Sequence, residues 1–158
     1  MSTTPAAASG TYSGRAYVYG SGTWVDDWND EGLLQTNMHA SSNATCLWQK
    51  ILWADGFLPS TADIDGVFGT KTYNATVAWQ DSVSLQKDGS VGKATFGMAG
   101  NYLHYVASST GPNNSLDLYY DGFAHNFPLI RAVDGNYLFP EGDGGVYKFA
   151  SYNSRSCS

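Results

Sequence analysis

Asp65-Gly66-Val67-Phe68-Gly69-Thr70-Lys71-Thr72-Tyr73 is a phrase that the chain contains twice. It returns as Asp88-Gly89-Ser90-Val91-Gly92-Lys93-Ala94-Thr95-Phe96, 23 residues later (65 to 88) at every matched position. Both copies read Asp-Gly-x-apolar-Gly-x-x-Thr-aromatic. A short repeat of this kind indicates one supersecondary unit that is used twice, although two copies are too few for a solenoid.

Each copy predicts a tight turn that leads into a helix. Asp-Gly favours a turn, because Gly adopts positive φ and the Asp carboxylate can accept amides of its own turn. Thr70 is a candidate N-cap for the helix after the first copy. On that helix, positions with the spacing i, i+3, i+4 and i+7 form one buried face: Thr72, Ala75, Thr76 and Trp79.

Another helix is predicted before the first copy. Its apolar positions have helical spacing: Leu47, Ile51 and Leu52. Asn43 or Thr45 is a candidate N-cap, and Gly56 stands where such a helix ends. The predicted order is therefore helix, turn, helix, turn and short helix.

This ordered set resembles the three-helix peptidoglycan-binding domain of bacterial cell-wall hydrolases over roughly residues 43–99, about a third of the chain. The matching positions are Gln49, Leu52, Gly56 and Phe57 in the first motif, Asp65, Gly66, Phe68, Gly69, Thr72, Ala75, Trp79 and Gln80 in the central motif, and Leu85, Asp88, Gly89, Val91, Gly92, Thr95 and Phe96 in the closing motif. Two positions depart from the pattern. Thr76 replaces an apolar residue, and Ser84 replaces a glycine before Leu85.

The resemblance implies that the ligand is the glycan or the stem peptide of peptidoglycan, bound in a shallow groove without a cofactor. Carried onto this sequence, it implicates the neighbourhood of Asp65, Phe68, Thr72, Trp79 and Gln80, residues that we expect to be mainly structural. Lys71, Tyr73 and Trp53 lie off the predicted core face and are better candidates for direct contact. Trp53 has a second interpretation, in which it packs under the C-terminal half.

The remaining segments predict an α+β fold, in which strands from both ends of the chain pack against the helical unit in one body. The predicted parts are a disordered leader (1–10), a strand with an aromatic and acidic loop (11–42), the helical unit (43–99) and a β-rich region (100–158). Strands are expected at 12–19, 102–106, 116–120, 127–133, 137–139 and 146–152, with turns at 111–114 and at Asp134-Gly135.

The acidic segment 23–31 contains Trp24 and Trp28. We interpret it as a surface turn with two packed tryptophans. A calcium site or a carbohydrate platform is the alternative, although the spacing lacks the complete calcium-loop pattern.

Composition narrows the class of partner. The chain has 158 residues, a net charge of −6 and only 14% charged residues. It has no cluster of Lys and Arg of the kind that binds nucleic acid, and no apolar run long enough to span a bilayer. Cys46 and Cys157 are predicted to form a disulfide rather than two free thiols, as in a secreted protein. The Ala-rich start suits a mature secreted protein in which Met1 replaces a signal peptide.

Catalytic motifs are not found in this sequence. His39, His104 and His125 have no metal-ligand spacing, so no metal or cofactor is expected. The pattern G-x-S-x-G does not occur, and residues 154–157 only superficially resemble the Cys-His transpeptidase motif. The sequence therefore favours a secreted, non-catalytic, wall-binding protein. The alternatives are a secreted interaction module (inhibitor, toxin component or assembly subunit) that binds a protein through its β-rich region, and an unrecognised cell-wall hydrolase.

Overall fold

The computed structural model describes residues 10–108, 115–142 and 145–157. Within these ranges the helices are the 3₁₀ helix Trp24–Asp30, α1 (Asn43–Ala54), the short 3₁₀ helix Thr61–Asp63, α2 (Thr70–Ser82) and α3 (Lys93–Gly100). The strands are β1 (Leu103–Ser108), β2 (Leu116–Asp121), β3 (Asn126–Arg131), β4 (Tyr137–Pro140) and β5 (Tyr147–Phe149). The predicted α+β class is confirmed. The predicted turn 111–114 and, apart from Gly10, the predicted leader lie outside the described residues.

Helix α1 is the centre of the molecule, because every residue in it except Trp53 is buried. Ser42 caps its start and accepts the Thr45 amide at 3.1 Å. The predicted caps, Asn43 and Thr45, were therefore wrong, and both residues lie inside the helix. Gly56 follows its end with φ +87°, as the stop signal predicted.

Helix α2 presents the predicted face to the core. Gly69, not Thr70, is its N-cap residue, and Gly69 makes no side-chain cap. Thr76 is buried, and its hydroxyl accepts from the Trp48 indole at 2.9 Å and donates to the Thr72 carbonyl at 2.7 Å. Thr76, which replaces the apolar residue of the pattern, thus provides the hydrogen-bond acceptor for the buried Trp48 indole. The buried residues of the helix are Thr72, Ala75, Thr76, Trp79 and Gln80.

Ser84 follows α2 with φ +62°, in the left-handed region that favours glycine. Ser84→Gly should therefore raise the free energy of unfolding by about 0.5–1 kcal/mol, because relief of strain outweighs the added freedom of the unfolded chain. Urea unfolding measures the change. Ser82→Gly, in the last turn of α2, is the matched control and should destabilise. Equal destabilisation by both substitutions would contradict the assigned strain.

The five strands form an antiparallel meander in the order β1-β2-β3-β4-β5. The predicted Asp134-Gly135 hairpin joins β3 to β4, and Gly135 has φ +94°. Pro128 lies in β3 opposite Tyr119 of β2, whereas β4 pairs with β3 only at Ile130 and Arg131. Proline is tolerated there because β3 has one neighbour at that position.

The strand predicted at 12–19 was wrong, because only single bridges form, at Tyr17 and at Tyr19. Val18 joins the start of β4 to the residue after β5: its amide donates to the Ala150 carbonyl and its carbonyl accepts the Tyr137 amide, both at 2.9 Å. The segment is therefore joined to residues beside the sheet by single bridges, which are too short to form a strand.

Several connections hold the sheet and the tail to α1. The buried Lys50 ammonium donates to the carbonyls of Pro140 and Gly142 at the end of β4. Cys46 and Cys157 form the predicted disulfide, with an S–S distance of 2.06 Å across a separation of 111 residues. Bonds of this kind typically stabilise a fold by about 2–4 kcal/mol. The tail is further held by Asn43, whose Oδ1 accepts the amides of residues 156 and 157.

In the part of the chain that the structure describes, no helix has the length and apolar character needed to cross a membrane.

Candidate functional site

A buried glutamine organises the first copy of the repeated phrase. Gln49 projects from α1, and its Nε2 donates to Asp65 Oδ1, the Val67 carbonyl and Thr72 Oγ1 at 2.9–3.0 Å. Its Oε1 accepts the amides of Asp65 and Gly66 at 3.0 and 2.8 Å. One side chain thus fixes the turn and the first turn of α2 together.

The second copy repeats this arrangement around Gln80 of α2. Its Nε2 donates to Asp88 Oδ1, the Ser90 carbonyl and Thr95 Oγ1 at 2.9–3.1 Å. Its Oε1 accepts the Gly89 amide at 3.0 Å. Each acceptor lies 23 residues after its counterpart (65 to 88), so the repeat in sequence is also a repeat of hydrogen bonds.

The aspartates of the two copies act as predicted within their own turns. Asp65 Oδ1 accepts the Val67 amide at 2.9 Å, and Asp88 Oδ1 accepts the Ser90 amide at 3.0 Å. The glycines that follow have φ +78° and +71°. These carboxylates are therefore engaged in holding the turns.

The five residues implicated by the resemblance differ in exposure to solvent: four are buried and one is exposed. Phe68, Thr72, Trp79 and Gln80 are each 3% exposed or less and belong to the core or to the glutamine networks. Asp65 is exposed but bonded to Gln49. A structural role, as expected for these five residues, is consistent with their positions. Ligand contact at these positions stays a prediction.

The three better contact candidates each contact a different neighbour. Lys71 pairs with Asp63 at 2.6 Å. Tyr73, 39% exposed, covers Gly89 so closely that a Cβ there would lie 2.2 Å from its ring. Trp53 stacks on the ring of His125 at 4.2 Å, in agreement with the interpretation that it packs against the C-terminal half.

Sequence reasoning missed a groove where the helical unit meets the sheet. It has a volume of about 430 Å³ and lies between the ends of α1 and α2 and the loop that joins β2 to β3. Its lining is mainly aromatic and apolar: Asp55, Phe57, Trp79, Ser82, Val83, Tyr102 and Phe123. Of the residues predicted for a ligand site, Trp79 is the one that contributes to this lining.

Asp55 is the polar centre of this region. Its Oδ2 accepts from the Trp79 indole at 2.7 Å and from the Tyr120 hydroxyl at 2.6 Å. Its Oδ1 accepts the Phe123 amide at 3.0 Å. Burial, together with the Asp55 carboxylate, raises the pKa of Tyr120, so this hydroxyl stays a donor. The only clue in the sequence was the pair of turn signals, Asp55-Gly56 and Asp121-Gly122.

The acidic N-terminal segment differs from the predicted surface turn, because it forms the 3₁₀ helix Trp24–Asp30 against α3. Trp28 is fully buried against Phe96, and Trp24 stacks on Tyr105. The two tryptophans are packed, as predicted. In the described ranges, no group of three or more His, Cys, Asp or Glu side chains is arranged to hold a metal ion.

Two carboxylates of this segment are buried, at Asp27 and at Glu31. Asp27 Oδ2 accepts from Arg131 at 2.8 Å and from the Tyr137 hydroxyl at 2.5 Å. Burial nevertheless raises the pKa of Asp27. Burial raises the pKa of Glu31 to about 8, against a smaller opposing effect of the Tyr152 hydroxyl, which donates to it at 2.9 Å. Glu31 is therefore expected to be largely protonated below neutral pH.

The architecture defines a small helical unit, built from two turn-and-helix copies, that is continued by a sheet. Residues 41–98 match the family model described as "Putative peptidoglycan binding domain". The resemblance inferred from the repeated phrase is thus confirmed for this segment, and the match supports peptidoglycan as a partner and association with the cell wall. Searches of curated proteins and of solved structures gave no match.

Proposed function

We propose that this chain is a secreted, non-catalytic protein that binds peptidoglycan. The match of residues 41–98 to the peptidoglycan-binding family carries the proposal. The two glutamine networks support it, because they hold the family's motif residues in a fixed arrangement. The Cys46–Cys157 disulfide is typical of proteins that work in an oxidising compartment, which supports secretion.

Retention on purified, insoluble peptidoglycan tests the proposal. Wild-type protein should be retained, and Lys71→Ala and Tyr73→Ala should each weaken retention about 3- to 10-fold if the exposed side chains of the repeat contact the wall. Lys87→Ala is the matched control, since Lys87 is an exposed lysine paired with an exposed Asp81. Lys71→Ala and Tyr73→Ala should both keep the wild-type circular dichroism spectrum, which shows that they are folded.

Turbidity followed in the same suspension separates binding from hydrolysis. A non-catalytic protein leaves turbidity constant, whereas falling turbidity would favour a hydrolase. No retention of wild type at all would contradict wall binding. The proposed export is checked separately, by N-terminal sequencing of the natural product from culture supernatant.

A protein partner is the second candidate, and exposed apolar side chains on the β half favour it. Tyr105 and Val106 of β1 are 45% and 58% exposed, and Val146, just before β5, is 66% exposed. Such a partner would bind the β-rich region and use the helical unit as a scaffold. Retention that requires added cell-envelope protein, and is absent on purified peptidoglycan, would favour this function.

A further inference from the structure

The loop between β2 and β3 holds a phenylalanine in solvent. Phe123 is 95% exposed, although its own amide is anchored on Asp55 at 3.0 Å. The next two amides, of Ala124 and His125, both donate to the Ala54 carbonyl at 2.8 Å. The backbone that carries this exposed ring is therefore fixed to the end of α1.

Two further contacts set the position of the loop. A Cβ on Gly122 would lie 2.2 Å from the His125 carbonyl oxygen and 2.5 Å from that of Ala54, so the close approach requires glycine. The His125 ring lies parallel to Trp53, with an interplanar angle of 4°. Both halves of the protein thus contribute to holding Phe123 in place.

Phe123 lies on the edge of the groove described above. Phe57, Val83 and Tyr102 provide further apolar surface, while Ser82 and Asp55 provide oxygen atoms. The volume of about 430 Å³ lies within the range of roughly 300–1,000 Å³ that is common for small-ligand sites. An apolar wall with a few polar atoms suits a pyranose ring, which has apolar C–H faces and a polar rim.

The charge of the groove distinguishes the glycan from the stem peptide. The residues that line it carry one acid, Asp55, and include no Lys or Arg among those the structure describes. Recognition of the carboxylates of a stem peptide favours cationic donors. An uncharged sugar ring is the wall component that matches this lining.

We propose that this groove binds an N-acetylated sugar ring of the peptidoglycan glycan strand, with Phe123 as a stacking surface. The inference rests on the proposed function and locates the glycan contact at the junction with the sheet. Part of the site therefore comes from residues outside the matched family segment, which ends at residue 98.

The test compares Phe123→Ala with wild type on purified peptidoglycan and on glycan strands whose stem peptides have been removed by an amidase. Because the amidase leaves a free lactyl carboxylate on the strand, both materials are assayed at a salt concentration that screens this charge. The dissociation constant of Phe123→Ala should rise about tenfold or more on both materials, since an exposed aromatic anchor is lost. Phe123→Trp should bind as wild type, and Phe123→Leu should resemble Phe123→Ala, because leucine has no flat face. Phe149→Ala, which removes a 42% exposed phenylalanine from β5, is the matched control and should bind normally.

Three results would overturn the inference while leaving wall binding intact: unchanged binding by Phe123→Ala, an equal loss in Phe149→Ala, or retention of wild type on intact peptidoglycan but not on stripped glycan. Retention on chitin without retention on peptidoglycan would overturn the assigned source of the sugar. Absence of wild-type retention on every wall material would overturn the proposed function together with the inference. Because Phe123 is almost fully exposed, its replacement leaves the core unchanged.

Discussion

Replacing Gln49 with leucine should lower the free energy of unfolding by about 3–5 kcal/mol. The side chain has five polar groups within hydrogen-bond distance, three acceptors that share the two hydrogens of Nε2 and two amides that donate to Oε1. Each buried group that loses its partner costs about 1–3 kcal/mol, and part of this network is exposed and regains water. Urea unfolding, followed by tryptophan fluorescence, measures the loss.

Gln80→Leu provides an internal comparison, because Gln80 holds the second copy in the same way. It should destabilise by a similar amount. Gln86→Leu replaces an exposed glutamine and should change stability by less than about 0.5 kcal/mol. Equal stability of the Gln49 and Gln86 variants would show that the network does not hold the unit together.

The stability of the protein should fall by about 3–5 kcal/mol between pH 4.5 and pH 9 because of Glu31. Burial raises its pKa from 4.5 to about 8 in the folded state, so the folded protein binds the proton more tightly than the unfolded chain does. This contribution is fully present below pH 4.5 and is lost as the pH rises through 8, since each pKa unit corresponds to about 1.4 kcal/mol. Asp27, whose pKa burial also raises, acts with the same sign.

Glu31→Gln mimics the protonated acid and isolates its effect. The free energy of unfolding of the variant should match that of wild type near pH 4.5 and exceed it at pH 9. Between these two pH values it should change much less with pH than that of wild type. Asp26→Asn, which changes an exposed acid on the same 3₁₀ helix, should keep the slope of wild type. If the free energy of unfolding of Glu31→Gln fell with pH as steeply as that of wild type, Glu31 would be ruled out as the origin of the pH dependence. Chemical denaturation at a series of pH values provides the comparison.

The elements with strong local signals were predictable. The Asp-Gly turns, the buried face of α2 and the Asp134-Gly135 hairpin follow from residue spacing and from the conformational freedom of glycine. The disulfide followed from the number of cysteines and the character of the tail. The strand at 12–19 was wrong because β propensity does not report whether a partner strand runs alongside for more than one residue.

The features that sequence did not reveal depend on three-dimensional neighbours. Gln49 and Gln80 were recognised as motif positions. A glutamine in a helix does not by itself indicate that its side chain bonds to several groups of a distant turn, as both of these do. Burial of Asp27 and Glu31 opposes the usual preference of acids for solvent, and tyrosines distant in sequence accommodate them. Exposure of Phe123 likewise follows from a loop anchored on a helix 68 residues earlier.

The two copies of the repeat also show which part of the unit is free to change. Gln49 lies 16 residues before Asp65, whereas Gln80 lies only 8 before Asp88, yet each donates to the Oδ1 atom of the aspartate in its own copy. The hydrogen-bond network therefore does not fix the length of the segment between the glutamine and the aspartate of each copy. A foreign peptide inserted after the exposed Pro59 would lengthen the longer connection without entering either turn, which makes this loop a suitable position for displaying an epitope or an affinity tag.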